Sequence, residues 1–431
     1  HQFRIDATPA LELGQRFSLR GRFKQPLLSS QSGAWDSWSG TAYVQSSEMD
    51  LHAWQQRFMP TASVRVMGKG WGRAWLQIKA GQVQSWAADV DMHALQLTTE
   101  WAQSWRPWPG FKRAHGRLEW TAGLTEQWAL QHAQLVPEQG QPWPLQQAAI
   151  ELQRDASGEI KGGQAQLDAF DLNQLHSWME EAPGAWLAAW QQAAPQGRVQ
   201  QLQWRWTGPA SQPVLQDWKA QLVGVSWQPG ATGKTQALAP WPGLSGLSAE
   251  LSGTGQAMKG QVRVKHGQLN WPGFWEEGQQ NISALKADLS VLHNADQWHV
   301  TAQQAELDLE GSKLDFDLNW HNSPQDPAGH LELNASTAQI AAQQIARWLP
   351  LSLSAPARQY VKGAVSDGQV HAAKAKIFGR LAKFPFKHAS DGEFRISGQL
   401  SGVRYATVPK HLMASDTRGE WPVFQNLSGE L

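Results

Sequence analysis

The chain contains no cysteine at all. That excludes a disulfide framework, a thiol nucleophile and a thiolate metal site. It is compatible with an oxidising compartment. Charge of either sign is scarce and balanced: 37 basic and 37 acidic residues leave a formal net charge of +0, and charged residues make up only 17%. A nucleic-acid binder usually leaves a basic footprint, and a membrane-surface module a polybasic patch. Neither is present. There is no apolar run of about 18 residues or more, so no segment reads as a bilayer-spanning helix. The start lacks the basic-then-apolar pattern of a signal peptide. Any export signal or anchor of a parent protein is therefore expected outside this sequence.

Tryptophan, by contrast, is abundant: 26 residues against 3 tyrosines. Trp carries a large apolar surface and tolerates a wet edge, so the excess suggests many residues lining a long amphipathic surface. Several of them belong to a recurring cassette, in which Trp-Pro is followed by a bulky apolar residue and a strand-like run. It reads Trp108-Pro109-Gly110-Phe111, Trp241-Pro242-Gly243-Leu244 and Trp421-Pro422-Val423-Phe424, with Trp143-Pro144-Leu145 a weaker copy. Recurrence at irregular spacing points to one structural unit reused with insertions. The last copy runs into Leu431, so the chain reads as a fragment of a longer repetitive protein.

Between the cassettes the dominant pattern is alternation. Leu314, Phe316, Leu318 and Trp320 alternate with Asp315, Asp317 and Asn319. Leu202, Trp204 and Trp206 alternate with Gln203 and Arg205, and Val223, Val225 and Trp227 with Gly224 and Ser226. Period two means strands with one apolar and one wet face. Turn signals at 155–158, 293–296, 310–311 and 366–368 suit hairpins of an antiparallel meander. Helices are few: one predicted from Leu172 to about Ala182 and resuming over Ala185–Ala193, one over Ile340–Trp348 behind Ser336/Thr337 caps, and one over Ala355–Val365. Three helix starts share a pattern beginning at Asp50, Asp91 and Asp171, which capping explains.

Catalytic and metal motifs fail on their spacing. The Gly230 to Thr235 stretch resembles the end of a phosphate-binding loop, but the required first glycine is Gln228. Asp315, Asp317 and Asn319 resemble the opening of a calcium loop, but Trp320 stands where glycine is needed. No histidine pair has metal-ligand spacing. No catalytic residue, metal or cofactor is therefore expected, and the chain reads as a non-enzyme.

The C-terminal third carries a specific resemblance. Leu349-Pro350-Leu351, Pro356, Arg358 and Ser366-Asp367-Gly368 are followed by Gly379-x-Leu381-x-x-Phe384-Pro385-Phe386 and Asp391-Gly392-Glu393-Phe394. In this order they resemble the YhdP family of AsmA-like proteins. The best match spans 351–431, and the repeated units extend a weaker likeness over most of the chain. The resemblance implies a repeating-β-groove lipid carrier of the Gram-negative envelope. Such a carrier is held at the inner membrane by an N-terminal helix and projects through the periplasm. The branch is linked to phospholipid movement toward the outer membrane and to its permeability barrier.

The expectations are these. Residues 1–431 form a mainly β fold: part of one long, elongated, curled antiparallel β-sheet, with a few short helices capping or linking repeats. Roughly 25 strands about 4.8 Å apart would span on the order of 100 Å. The lipid-binding groove is lined by Leu202, Trp204, Trp206, Val223, Val225, Trp227, Leu314, Phe316, Leu318 and Trp320. The partners are phospholipid acyl chains, and both membranes through parts absent from this chain. The alternative is an envelope scaffold whose apolar faces close into a dry β core.

Overall fold

In a computed structural model the described residues are 1–25, 34–58, 64–101, 104–108, 110–175, 185–209, 212–230, 241–294, 296–408 and 422–430. The chain is mainly β. It divides into two compact units: His1–Ala182 with Arg198–Ala220, and Pro183–Gly197 with Gln221–Leu431.

The first unit is an antiparallel meander. Its strands are β1 (Gln2–Ala7), β2 (Phe17–Lys24), β3 (Ser39–Asp50), β4 (Val64–Lys79), β5 (Gln82–Trp101), the short β6 (Ser104–Pro107), β7 (Phe111–Thr121), β8 (Thr125–Pro137), β9 (Ala148–Arg154), β10 (Ile160–Asp171) and β11 (Gln196–Thr207). Each pairs with the next along the chain, except that β5 pairs with both β6 and β7. Helix α1 (Leu51–Phe58) follows β3 and is capped by Asp50, whose Oδ1 accepts the N–H groups of His52 and Ala53 at 3.1 Å each.

Strand β12 (Val214–Trp227) runs from the first set of residues into the second. The second unit repeats the plan: β13 (Gly243–Gly253), β14 (Ala257–Asn270), β15 (Gln279–Asn294), β16 (Gln297–Leu309), β17 (Ser312–Ser323), β18 (Asp326–Ala341), β19 (Val365–Arg380), β20 (Gly392–Ala406) and β21 (Val423–Glu430), each paired with its successor. Its helices are α2 (Ala185–Ala193), α3 (Ala342–Arg347) and α4 (Ala355–Ala364).

Three predicted turns lie where expected, between β9 and β10, β15 and β16, and β16 and β17. The first is an Asx turn: Asp155 Oδ1 accepts the N–H groups of Ser157 at 2.9 Å and Glu159 at 3.1 Å. Those bonds, led by the one from the Ser157 hydroxyl, hold its carboxyl down at about 2. The fourth predicted turn lies inside β19, where Gly368 at φ 102 accommodates a local irregularity. Ser336 and Thr337 are strand residues rather than caps, because β18 runs on to Ala341 before α3 begins. Only Leu172–Leu175 of the predicted 172–182 helix is described, as a single 3-10 turn.

Asp91 also departs from expectation. It does not start a helix but sits in β5, where Arg113 of β7 grips both carboxylate oxygens at 2.9 and 2.6 Å. Strand pairing with β4 and β7 on both sides overrides the short capping signal. The Arg113 guanidinium holds the Asp91 carboxyl below its ordinary value, against a smaller opposing effect of burial. A carboxyl depressed in the folded state stabilises above its unfolded value, about 3.9. That contribution is lost as pH falls through the lower folded value. Denaturant midpoints measured down the acid limb should therefore show a drop that Asp91→Asn flattens.

Within each unit the repeated sequence units gather along one edge, formed by strand ends. In the first unit α1 and the Trp-Pro entries into β7 and β9 stand at the edge where β3 ends. In the second, the entry into β13, α3 and α4 stand at the edge where β18 ends. An unanticipated copy, Trp271-Pro272-Gly273-Phe274, joins them between β14 and β15; its Trp271 and Phe274 rings stack 4.2 Å apart. Proline cannot donate to a ladder, and Pro242 and Pro422 stand immediately before β13 and β21.

Near that edge several strands carry a β-bulge with a residue at positive φ: Ala94 and His132 in the first unit, His266, Gln304 and Ala372 in the second. At each bulge the alternation skips one residue. On β16 Val300 and Ala302 share a face with Ala305, Leu307 and Leu309. Gln304 (φ 49) is anchored by Asp317, whose Oδ1 accepts its N–H at 3.0 Å. Such bulges bend strands and sharpen their twist. A β-branched residue tolerates this conformation poorly, at a cost of about 1–2 kcal/mol, whereas glycine adopts it freely. Thermal unfolding should therefore rank Gln304→Gly at or above wild type and Gln304→Val clearly below it.

Candidate lipid-facing site

The ladder registers assemble the alternating residues into rows that run across strands. In the second unit one row is Leu251, Gly260, Leu289, Ala302, Leu318, Leu333, Ile377 and Phe394, one residue from each of β13 to β20. The next is Gly253, Met258, Val291, Val300, Trp320, Leu331, Gly379 and Gly392. A third passes through Phe316, Ala335, Ala375 and Ile396. No polar side chain interrupts them. Eight strands at about 4.8 Å make an apolar floor about 34 Å across.

The first unit is built alike. One row is Phe3, Gly21, Ala42, Leu76, Trp86, Trp120, Trp128, Ile150, Ala165 and Trp204. Another is Ile5, Leu19, Val44, Ala74, Ala88, Leu118, Leu130, Ala148, Leu167 and Leu202. One charge borders this floor. Glu126 lies opposite Leu152, two residues from Trp128 on the same face. Burial raises its pKa, but bonds from Trp120 Nε1 at 2.9 Å, Arg154 at 2.6 Å and Trp128 Nε1 at 2.8 Å bring it below the ordinary carboxylate value. The floor thus ends at a neutralised, hydrogen-bonded carboxylate.

The opposite face carries the charge. In the first unit Asp89 accepts from Arg73 at 2.9 Å and from Arg117 at 3.0 Å, and Arg117 also bonds Glu119 at 2.7 Å. Both guanidiniums lie over the Trp75 ring, at 5.2 and 5.4 Å. Trp71 and Trp75 therefore belong to the wet face, and not every tryptophan lines the apolar one. Here opposite signs stand directly across strands, an arrangement that favours pairing.

The residues chosen from the sequence lie on three strands, β11, β12 and β17. Leu202, Trp204 and Trp206 lie half-buried on β11, and Leu314, Phe316, Leu318 and Trp320 half-buried on β17, while Asp315 and Asp317 are exposed on the other side. Val225 is buried and Trp227 half-buried. Val223 departs from this pattern. It is 44% exposed, because Gly224 takes positive φ (60) and breaks the alternation, so Leu222 occupies the half-buried position instead. The sequence reading missed the cross-strand partners, among them Trp86, Trp120, Leu333 and Ile377. The skipped alternation around Gln304 and its equivalents is the signal that would have aligned them.

The apolar face is not uniformly dry. A buried cluster of Ile340, Ala342, Val370 and Val403, with Ile345 and Trp348 packed on it, sits at the helix-bearing edge. Away from that edge Phe394 and Ile396 remain 40% and 37% exposed, and Leu118 and Trp128 of the first unit 37% and 38%. Among the described residues there is no metal-binding cluster and no helix long and apolar enough to cross a membrane. No curated protein and no solved structure matches the sequence. The model of the family described as YhdP protein matches residues 1–431, and the chain belongs to that family.

Proposed function

We infer that this chain is a segment of a periplasmic lipid conduit. It carries phospholipids between the inner and outer membranes of a Gram-negative bacterium, with their acyl chains against the apolar rows. In this reading it performs no chemistry, supports the outer-membrane permeability barrier, and is anchored at the inner membrane through a helix outside this sequence.

The observation that carries the reading is the uninterrupted apolar floor whose side chains are left partly open. Two acyl chains of roughly 30 methylenes would cost more than about 20 kcal/mol in water, at about 0.8 kcal/mol per methylene. A carrier must therefore offer apolar surface at every step. A floor continuous over eight strands does so, whereas a scaffold would bury such rows as completely as the Val370 cluster.

A photo-crosslinking residue placed at Phe316 is expected to capture phospholipid in cells, and one at Asp288, exposed on the wet face of β15, is not. Native mass spectrometry of the purified chain should show co-purified lipid. Equal capture at both positions, together with a lipid-free protein, would favour the scaffold.

A further inference from the structure

A cavity of about 630 Å³ opens over β16 to β20 of the second unit; Phe316, Ala335 and Ala375 contribute to its lining, and its other lining residues are mostly polar. Its floor is β18 and its walls are the strands on either side. Two successive cross-strand rows build it with the same charge order: Asp315–Ser336–Lys374 and Asp317–Asn334–Lys376. Each places a carboxylate on β17, a short neutral side chain on β18 and an ammonium on β19. Glu306 extends the acidic wall on β16, and Arg395 the basic wall on β20.

The two walls do not neutralise each other. Lys376 turns sideways to Glu393 at 2.8 Å, and Arg395 does so at 2.9 Å. Asp317 accepts the Gln304 N–H. Among the described residues Asp315 and Lys374 make no ion pair. Between β15 and β16 opposite charges stand directly across from one another and pair, as Lys286 and Glu306 do at 3.9 Å; across the trough a neutral strand is interposed between them.

We propose that this trough binds a compact zwitterion, its cationic end at Asp315 and Asp317 and its anionic end at Lys374 and Lys376. The walls stand two strand spacings apart, about 10 Å. Charge-assisted contacts of about 2.8 Å at each end leave about 4–5 Å between the ligand's own charges. That separation suits a phosphoethanolamine group, free or as a lipid headgroup. It is too short for a ligand that would span the walls as an extended peptide. A ligand with one charge meets only one wall and leaves the other unsatisfied. The inference goes beyond the acyl-chain reading and uses the other face of the sheet, so either can fail alone.

The test is calorimetric titration of the purified chain at low salt with glycerophosphoethanolamine, glycerol phosphate and ethanolamine. The zwitterion is expected to saturate, with each half-ligand at least about tenfold weaker. Lys374→Glu and Asp315→Lys should each weaken zwitterion binding by about tenfold or more, with circular dichroism unchanged. The exchanged pair Asp315→Lys with Lys374→Asp should recover part of the loss, since it restores both signs. Flotation with phosphatidylethanolamine vesicles then distinguishes the source. Retention that Lys374→Glu abolishes assigns a membrane headgroup, and binding of the soluble compound alone assigns a free one. Absence of saturation in the millimolar range, equal affinity for glycerol phosphate, or an unaltered Lys374→Glu variant overturns the proposal.

Discussion

Phe316→Arg is expected to abolish lipid transfer while leaving the protein folded. Phe316 is half-buried, in a row with Ala335, Ala375 and Ile396. A guanidinium there can reach water from a partly open surface, so the loss of stability should stay within about 1–3 kcal/mol. An acyl chain moving along the floor has no such escape. It must pass a hydrated charge, at a cost of several kcal/mol if that charge is stripped of water. The measurement is paired: thermal unfolding of the variant, and lipid transfer or the outer-membrane barrier phenotype in the full-length parent. A folded variant with wild-type transfer and barrier would remove this segment from the lipid path.

Val370→Asp is expected to behave in the opposite way. Val370 is 1% exposed, under Ile345 and Trp348 and against Ile340 and Val403. No cation stands in that cluster to pair with a new carboxylate. An unpaired buried charge of this kind costs about 3–5 kcal/mol, enough to unfold a marginal unit. Equilibrium denaturation of the second unit should show a large fall in midpoint, with loss of function tracking loss of fold. Raising solution acidity toward the carboxyl's own titration range should recover part of the stability, because the neutral acid is cheaper to bury. A charge introduced on the apolar side thus separates conduction from folding, according to whether the helices cover the position.

Much of the architecture was legible in the linear pattern. Alternation over 314–320 and 202–206 identified strands and their apolar faces, because side chains of a strand point to opposite sides by geometry alone. Turn residues at 155–158 and 310–311 located hairpins, since the backbone conformations required there restrict residue choice. The Trp-Pro cassettes were visible as repeats.

Three things required the tertiary structure. The cross-strand rows depend on register, and a slip of one residue would turn a whole strand over; nothing in the spacing of Leu318 names Leu333 or Ile377 as its neighbours. The positive φ of Gly224 and the bulge at Gln304 shift the phase within a strand, which is why Val223 and Val225 part company although they alternate perfectly on paper. Asp91 carries a helix-start pattern like that at Asp50, yet one lies in a strand and the other caps α1, because only pairing with β4 and β7 decides between them. The sequence by itself determined which residues are apolar and at what period. The tertiary structure decided which of them meet, and which stay open to a ligand, because those depend on contacts between segments far apart along the chain.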